Sequence, residues 1–269
     1  MRPLVMGVLN VTPDSFSDGG RYLDPDRALE RGLEMVAEGA DLVDVGGESS
    51  RPGPEPVSAA EESRRVVPVI DALAPHVRVL VDTVKPAVAE AAVVAGATLV
   101  NDVSASLWPV AASHGVGWVA MHMKGTPATM QDDPRYDDVV AEVRSFVLER
   151  ARRATDAGVG EVWVDPGIGF GKSVGQNLSL LRHLRELTTA GFPVLVGTSR
   201  KSFLGRLAPT PDGRPAPADD RLAGSLATAT WAMLAGAAMV RVHDVAATVQ
   251  AATLVGPTRL ARPAGTVPA

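Results

Sequence analysis

Four residues with complementary hydrogen-bonding groups follow apolar runs at separate points of the chain. They are Asp82, Asn101, Asp165 and Lys201, and together they supply two carboxylates, an amide and an ammonium group. Such a set of donors and acceptors suits a flat heterocycle, because the polar edges of a buried ring need hydrogen-bond partners. The same residues could instead form a salt-bridge network that stiffens the fold. The residue types alone leave both interpretations open.

A second group of residues is cationic and lies near the end of the chain. Arg241 and His243 are separated by one residue in an apolar run, so both lie on the same side of a predicted strand. An Arg side chain can bind phosphate oxygens through two hydrogen bonds. Asn10 offers a neutral oxygen for Mg²⁺, which usually binds one or two protein oxygens together with phosphates. The alternative for His243 is an ordinary hydrogen-bonded histidine near the surface.

The stretch VDPGIGFGKS at residues 164–173 has some features of a phosphate-binding P-loop. The spacing from Gly167 to Gly171 is one residue shorter than the P-loop pattern requires. The missing residue changes which backbone N–H groups converge on a phosphate, so we do not expect a nucleotide here. Lys172 and Ser173 instead look like the start of a helix.

The elements that must position these residues are short β-rich runs that alternate with amphipathic segments. The predicted strands are Leu4–Leu9, Leu42–Val45, Val77–Val81, Thr98–Val100, Gly117–Ala120, Val162–Val164, Val194–Val196 and Met239–Val242. The predicted helices include Asp26–Glu38, Ala59–Leu73, Pro86–Ala95, Val139–Ala157, Leu178–Ala190 and Arg221–Leu234. Eight strands, each followed by a helix, predict an α/β fold, the (β/α)₈ TIM barrel.

A barrel carries its active site at the carboxyl ends of its strands, which is where the residues above lie. The same strand ends also carry Asp44, Glu48, Asp102, His122 and Ser199. No linker divides the chain, so we predict a single barrel domain over residues 1–256 with long βα loops 1 and 2. Residues 257–269 are predicted to form a flexible C-terminal tail.

The composition narrows the classes of function. The 269 residues are 46% hydrophobic, which is enough for one sizeable core. The net charge of -5 is spread along the chain and indicates neither a nucleic-acid partner nor an anionic membrane surface. The chain has no cysteine, no secretory signal pattern and no apolar run of membrane-spanning length. We therefore expect a cytoplasmic protein.

Two predicted βα loops are unusually long and rich in Gly, Pro and Ser. They span residues 10–20 and 46–54. Long loops at the catalytic end of a barrel are candidate lids that exclude water, with Phe16 as an apolar wall and Arg51 as a further cation. They could equally be mobile surface loops.

Motifs along almost the whole chain closely resemble those of the dihydropteroate synthase family of the bacterial folate pathway. These motifs are MGVLNVTPDSFSDGG at residues 6–20, GGESSRPG at 46–53, VDT at 81–83, NDVS at 101–104, MHMKGTPATMQ at 121–131, DPGIGFGK at 165–172, SRKSF at 199–203 and RVHD at 241–244. The resemblance implies a transferase that condenses 6-hydroxymethyl-7,8-dihydropterin diphosphate with p-aminobenzoate. The products are 7,8-dihydropteroate and pyrophosphate. It also implies Mg²⁺, a homodimer and sulfonamide sensitivity.

The resemblance also implies roles for individual residues. The pterin is expected to contact Asp82, Asn101, Met121, Asp165, Phe170 and Lys201. The diphosphate is expected to contact Asn10, Arg241 and His243, with Asn10 as the Mg²⁺ ligand. The p-aminobenzoate is expected to contact Phe16, Ser50, Arg51 and Ser202. Asp82, Lys201 and Arg241 are the expected catalytic residues, and no phosphate is expected at Lys172.

The family's mechanism is dissociative: the C–O bond to the diphosphate breaks early and leaves a pterin methylene cation that the arylamine attacks. Two departures from the family pattern stand out, namely Ser50 in place of the more usual Thr and a shortened segment after Ser104. The second puts the geometry around Asn101 in doubt. A non-catalytic pterin-binding paralogue is the main alternative. A corrinoid-type methyltransferase domain is a weaker one, because it has no use for Arg241, His243 and the SRKSF stretch together.

Overall fold

The structure is a computed structural model that describes residues 2–12, 25–48, 57–126, 129–130 and 134–256. Within these residues eight strands form one parallel sheet in the order β6-β5-β4-β3-β2-β1-β8-β7. The strands are β1 Leu4–Asn10, β2 Leu42–Gly46, β3 Arg78–Asp82, β4 Leu99–Asp102, β5 Gly117–Met121, β6 Val162–Asp165, β7 Leu195–Val196 and β8 Met239–Val242. A parallel bridge between Val164 and Val194 joins the two ends of the sheet and closes the predicted (β/α)₈ barrel.

Helices surround the barrel between the strands. They are α1 Pro25–Ala37, α2 Ala59–Leu73, α3 Pro86–Val94, α4 Trp108–His114, α5 Val139–Asp156, α6 Val174–Arg182, α7 Arg185–Thr188, α8 Ser202–Leu207, α9 Leu222–Leu234 and α10 Val245–Val255. The first and second βα connections are long, as predicted. β1 ends at Asn10 and α1 begins at Pro25, while β2 ends at Gly46 and α2 begins at Ala59. The domain boundary at residue 256 remains a prediction, since residues 257–269 lie outside the described part.

One predicted helix differs from the structure. The segment Leu178–Ala190 was expected to form a single helix, but α6 begins earlier, at Val174, and α7 is separate. A capping box sets the earlier start: the Ser173 hydroxyl accepts from the Gln176 N–H at 3.3 Å, and the Gln176 side chain accepts from the Ser173 N–H at 2.7 Å. Lys172 therefore precedes the helix instead of opening it.

Two hydrophobic clusters follow from the alternation of side chains along each strand. One lies between the sheet and the helices and includes Val5, Val79 and Val100. The other fills the barrel interior with Met6, Leu42, Leu80, Leu99, Val119, Trp163, Leu195, Ala238 and Met239. A residue two positions beyond an interior residue points into the barrel again, one layer nearer the carboxyl end. This rule places Asp44, Asp82, Asn101, Met121, Asp165 and Arg241 in the mouth of the barrel.

Candidate active site

The mouth of the barrel contains a network of ionic hydrogen bonds centred on Arg241. Its Nε donates to Asp44 Oδ2 at 2.5 Å, and a terminal nitrogen donates to Asp82 Oδ2 at 2.8 Å. Asn101 Nδ2 donates to the same Asp44 oxygen at 3.0 Å. Residues from β2, β3, β4 and β8 are thus joined across the pocket. The guanidinium predicted to bind the diphosphate is thus paired with two carboxylates.

The network perturbs the charges of its members. Burial raises the pKa of Asp82 to about 7; the positive charge of Arg241 opposes this shift and the negative charge of Asp44 adds to it. Burial disfavours the charged form of Arg241 and by itself would lower its pKa. The negative charges of Asp44 and Asp82 outweigh this effect, so the pKa of Arg241 is raised. Arg241 is therefore charged at every ordinary pH, whereas Asp82 titrates near neutrality.

The sequence places Asp44 at the end of a strand but indicates no role for it. The structure makes it the fully buried acceptor that orients both Arg241 and Asn101. Its other oxygen, Oδ1, has no hydrogen-bond partner among the described residues. Its place one layer above the interior residue Leu42 is the signal that could have identified it, because a carboxylate there must find a cation.

Asp165, Phe170 and Lys201 also lie at the mouth of the barrel, at or after the ends of β6 and β7. The Gly167 N–H donates to Asp165 Oδ1 at 2.7 Å, and burial raises the pKa of Asp165 against the opposing charge of Lys201. Lys201 Nζ donates to the Ile168 carbonyl oxygen and lies 4.5 Å from the centroid of the Phe170 ring. Burial lowers the pKa of Lys201 to about 8, although Asp165 opposes that shift. The structure thus brings together three residues that were predicted to contact the pterin.

The shortened segment that follows Asn101 is held in place by hydrogen bonds to Asp102. The fully buried Asp102 carboxylate accepts from the backbone N–H groups of Ser104, Ser106 and Leu107 at 2.6–2.8 Å, and from Trp118 Nε1 at 3.2 Å. These bonds fold the segment into a tight turn in which Ala105 has a φ of 50°. The Asn101 amide lies in the mouth of the barrel and donates to Asp44.

Asn10 and His243 face a cavity of about 280 Å³ beside the barrel mouth. Arg200 and Arg31 also line it, together with apolar atoms of β1 and α1. His243 Nδ1 lies 3.0 Å from the Ser199 hydroxyl, which also accepts from the His243 backbone N–H at 3.1 Å. Asn10 and His243, both predicted to contact the diphosphate, therefore line the same cavity. In the described ranges no cluster of three His, Cys, Asp or Glu residues could hold a metal.

Two of the remaining predicted residues, Met121 and Ser202, lie in the described part of the chain. Met121 is buried at the end of β5, where it pairs in register with Asp165. Ser202 opens α8, and its side chain is exposed. Arg200, two residues earlier, has a φ of 57°, and its guanidinium pairs with the Asp244 carboxylate. Phe16, Ser50 and Arg51 lie outside the described residues.

The fold and the polar residues of the mouth define a pterin-binding enzyme. The family model of pterin-binding enzymes matches residues 6–243. Dihydropteroate synthase from Mycobacterium leprae is 49% identical over 261 residues, which are 94% of this chain and 92% of the relative.

Two solved structures are also similar over 94% of this chain. Xanthomonas albilineans dihydropteroate synthase in complex with 7,8-dihydropteroate has 46% identity, 92% coverage of that chain and a TM-score of 0.82. Yersinia pestis dihydropteroate synthase in a sulfonamide drug complex has 45% identity, 93% coverage of that chain and a TM-score of 0.87. The chain belongs to the dihydropteroate synthase family, whose members are transferases. No helix in the described residues is long and apolar enough to span a membrane.

Proposed function

We propose that this protein condenses 6-hydroxymethyl-7,8-dihydropterin diphosphate with p-aminobenzoate to form 7,8-dihydropteroate and pyrophosphate. The observation that carries this function is the ring of Asp82, Asn101, Asp165 and Lys201 in the barrel mouth, beside the cavity of Asn10 and His243. A heterocycle site next to an anion site matches a pterin that carries a diphosphate. No observation favours the non-catalytic alternative.

The pterin site follows from the chemistry of the ring edges. The carboxylates of Asp82 and Asp165 accept from ring N–H groups, and the Lys201 ammonium donates to a ring oxygen or nitrogen. Asn101 offers both a donor and an acceptor. Met121 and Phe170 supply apolar walls for the two faces of the ring, which suits its flat shape.

The reaction proceeds by loss of the diphosphate. The C–O bond breaks, the electron pair leaves with the diphosphate, and the arylamine nitrogen then forms a C–N bond and releases a proton. Arg241 and His243 stabilise the negative charge of the leaving group, and Asp82 offsets the positive charge that develops on the pterin. No strong base is required, because a neutral arylamine is already nucleophilic.

Asn10 is the proposed protein ligand for Mg²⁺. Asn10 presents a neutral oxygen at the cavity that His243 also lines, and Mg²⁺ accepts such a site when phosphate oxygens complete its shell. When bound, the ion supplies positive charge to the departing diphosphate. We expect chelation to lower activity and an Asn10→Ala variant to bind Mg²⁺ with the diphosphate more weakly, as measured by calorimetry.

The p-aminobenzoate site is proposed to include Ser202, which opens α8 beside the pterin residue Lys201. By resemblance to the family, we propose that the site also includes Phe16, Ser50 and Arg51. Because a sulfonamide resembles p-aminobenzoate, we expect competitive inhibition by sulfonamides.

A homodimer is proposed on the basis of an exposed apolar face. Helices α9 and α10 pack together and contain no charged residue. Trp231, Leu234 and Leu254 on these helices are 37%, 62% and 89% exposed. A second copy of the chain would cover this face. A Trp231→Glu variant that stays dimeric in light scattering would contradict this surface. A cytoplasmic location also remains a prediction.

The deciding experiment measures pyrophosphate release from the pterin diphosphate in the presence of Mg²⁺, with and without p-aminobenzoate. We expect release that depends on p-aminobenzoate and yields a pteroate product. Tight pterin binding without such a product would instead indicate a binding paralogue.

A further inference from the structure

Lys172 is a buried cation that the proposed reaction does not use. Its side chain is only 3% exposed, and no role proposed above uses its ammonium group. Its Nζ donates to the carbonyl oxygens of Gly167 and Phe170, each at 2.9 Å, and to the His122 carbonyl oxygen at 3.3 Å. The same nitrogen lies 3.0 Å from His122 Nδ1. One ammonium group thus joins the β6–α6 loop to the segment that follows β5.

The loop that Lys172 holds, residues 166–171, makes three contacts with Asp165 and Lys201 of the proposed pterin site. Its Gly167 N–H bonds to Asp165, its Ile168 carbonyl oxygen accepts from Lys201, and its Phe170 ring lies against the Lys201 ammonium. A shift of this loop would therefore change the position of a carboxylate partner, an ammonium partner and an aromatic wall together.

The packing of the loop leaves little room for an alternative position. A Cβ added at Gly167 would lie 1.8 Å from the His122 carbonyl oxygen, and one added at Gly171 would lie 2.5 Å from the Lys124 carbonyl oxygen. Backbone carbonyls crowd together at this junction, and buried carbonyls need donors. The Lys172 ammonium supplies three hydrogen bonds from one atom, which an apolar side chain cannot do.

The ammonium is held at this place against an electrostatic cost. Burial, and then the charge of Lys201, lower the pKa of Lys172 to about 7, although Asp165 opposes the shift. His122 adds no competing charge, because burial and the charge of Lys172 lower its own pKa to about 3. An apolar residue would avoid this cost, but it would leave the three carbonyl oxygens without this donor.

We propose that Lys172 is a positioning residue for the condensation: it ties residues 166–171 to His122 and thereby keeps Phe170, Lys201 and Asp165 at the spacing that pterin binding requires. This inference rests on the proposed function. It assigns Lys172 no contact with substrate and no proton transfer.

The test is a Lys172→Met variant, which keeps an unbranched side chain and removes the ammonium. The Michaelis constants for the pterin diphosphate and for p-aminobenzoate are measured separately. We expect the first to rise about tenfold, equivalent to about 1.4 kcal/mol, because a bond network to a charged donor is lost. The constant for p-aminobenzoate should change less than about twofold. A variant that had only lost stability would show similar changes in both Michaelis constants.

The matched control is Arg78→Met at the amino end of the barrel. Arg78 bonds to Glu161 at 2.5 Å and to Thr98 at 3.0 Å, so its loss also removes a cation from several partners, but far from the mouth. We expect both Michaelis constants of this variant to match the parent. Equal rises in the pterin constant for Arg78→Met and Lys172→Met, or unchanged constants for Lys172→Met, would overturn the inference.

A milder variant covers the case in which Lys172→Met does not fold. The Tyr136 hydroxyl donates to the Gly171 carbonyl oxygen at 2.8 Å, and Tyr136→Phe removes that single bond to the same loop. The inference requires a smaller rise in the pterin constant alone, and no rise would count against it. If the parent shows no p-aminobenzoate-dependent pyrophosphate release, the proposed function fails. In that case, calorimetry measures the affinity of the parent and of each variant for the pterin diphosphate, and this tests the role of the loop independently of catalysis.

Discussion

Replacement of Asp44 by asparagine isolates the electrostatic part of the network in the barrel mouth. The substitution preserves the shape of the side chain and one oxygen acceptor, but it removes the negative charge that faces Arg241 and Asp82. Arg241 keeps Asp82 as a partner at 2.8 Å, so no buried cation is left alone. We therefore expect the free energy of unfolding to fall by about 1.5–3 kcal/mol, the contribution of one hydrogen bond to a charged group.

The same variant should change the pH dependence of the reaction. Asp44 helps to raise the pKa of Asp82 to about 7, after burial as the main cause, and Asp82 must be ionised to offset the developing charge of the pterin. Without Asp44, the pKa of Asp82 falls. The acid limb of kcat/KM for the pterin diphosphate should move to lower pH by about one unit, or about 1.4 kcal/mol of relieved repulsion.

The stability of the parent should show the matching trend. The ordinary pKa of the Asp82 carboxyl is 3.8 and its folded value is about 7, so the folded chain binds more protons than the unfolded chain between these values. This group alone therefore makes the free energy of unfolding fall as the pH rises from about 4 to 7. Asp44→Asn should flatten that fall, as measured by urea unfolding at each pH.

The control for these measurements is Asp41→Asn, which removes a charge that pairs with Arg2 at 2.6 Å far from the mouth. It should cost less than about 1 kcal/mol, because the pair is partly exposed, and it should leave the acid limb where it is. A folded Asp44→Asn enzyme whose acid limb stays in place or moves to higher pH would refute the electrostatic reasoning.

Three further predictions concern other parts of the site. The kcat/KM for the pterin diphosphate should fall as the pH rises above about 8, because burial lowers the pKa of Lys201 to about 8 and only its charged form donates strongly; a profile flat to pH ~10 would contradict this. Ser202→Ala should raise the Michaelis constant for p-aminobenzoate about fivefold, roughly one hydrogen bond, with that for the pterin diphosphate unchanged; the reverse pattern would move Ser202 out of the p-aminobenzoate site. Gly167→Ala should lower the free energy of unfolding by about 2 kcal/mol or more, because its φ is 64° and the new Cβ would meet the His122 carbonyl oxygen at 1.8 Å; a urea midpoint like that of the parent would contradict the loop geometry.

Local patterns in the sequence were sufficient to predict the barrel and most of the residues in its mouth. The predicted strand Leu42–Val45 agrees with β2, because the pattern that indicates a strand depends only on neighbouring residues. The helix predicted at Leu178–Ala190 was wrong at its start, although the Ser173 and Gln176 capping pair was present in the sequence. The sequence does indicate a helix start at Lys172 and Ser173, and the structure places it at Val174 with Ser173 as the N-cap.

The sequence by itself determined the order of strands and helices, the carboxyl ends on which the polar residues lie, and the resemblance to dihydropteroate synthases. Only the tertiary structure decided the partners. Asp44 and Arg241 are 197 positions apart in the chain, and Lys172 and His122 are 50 apart. Alternation along a strand is a local property, so it can be inferred from adjacent residues. A buried charge instead takes whichever partner the closed barrel brings within hydrogen-bonding distance, and that depends on the whole fold.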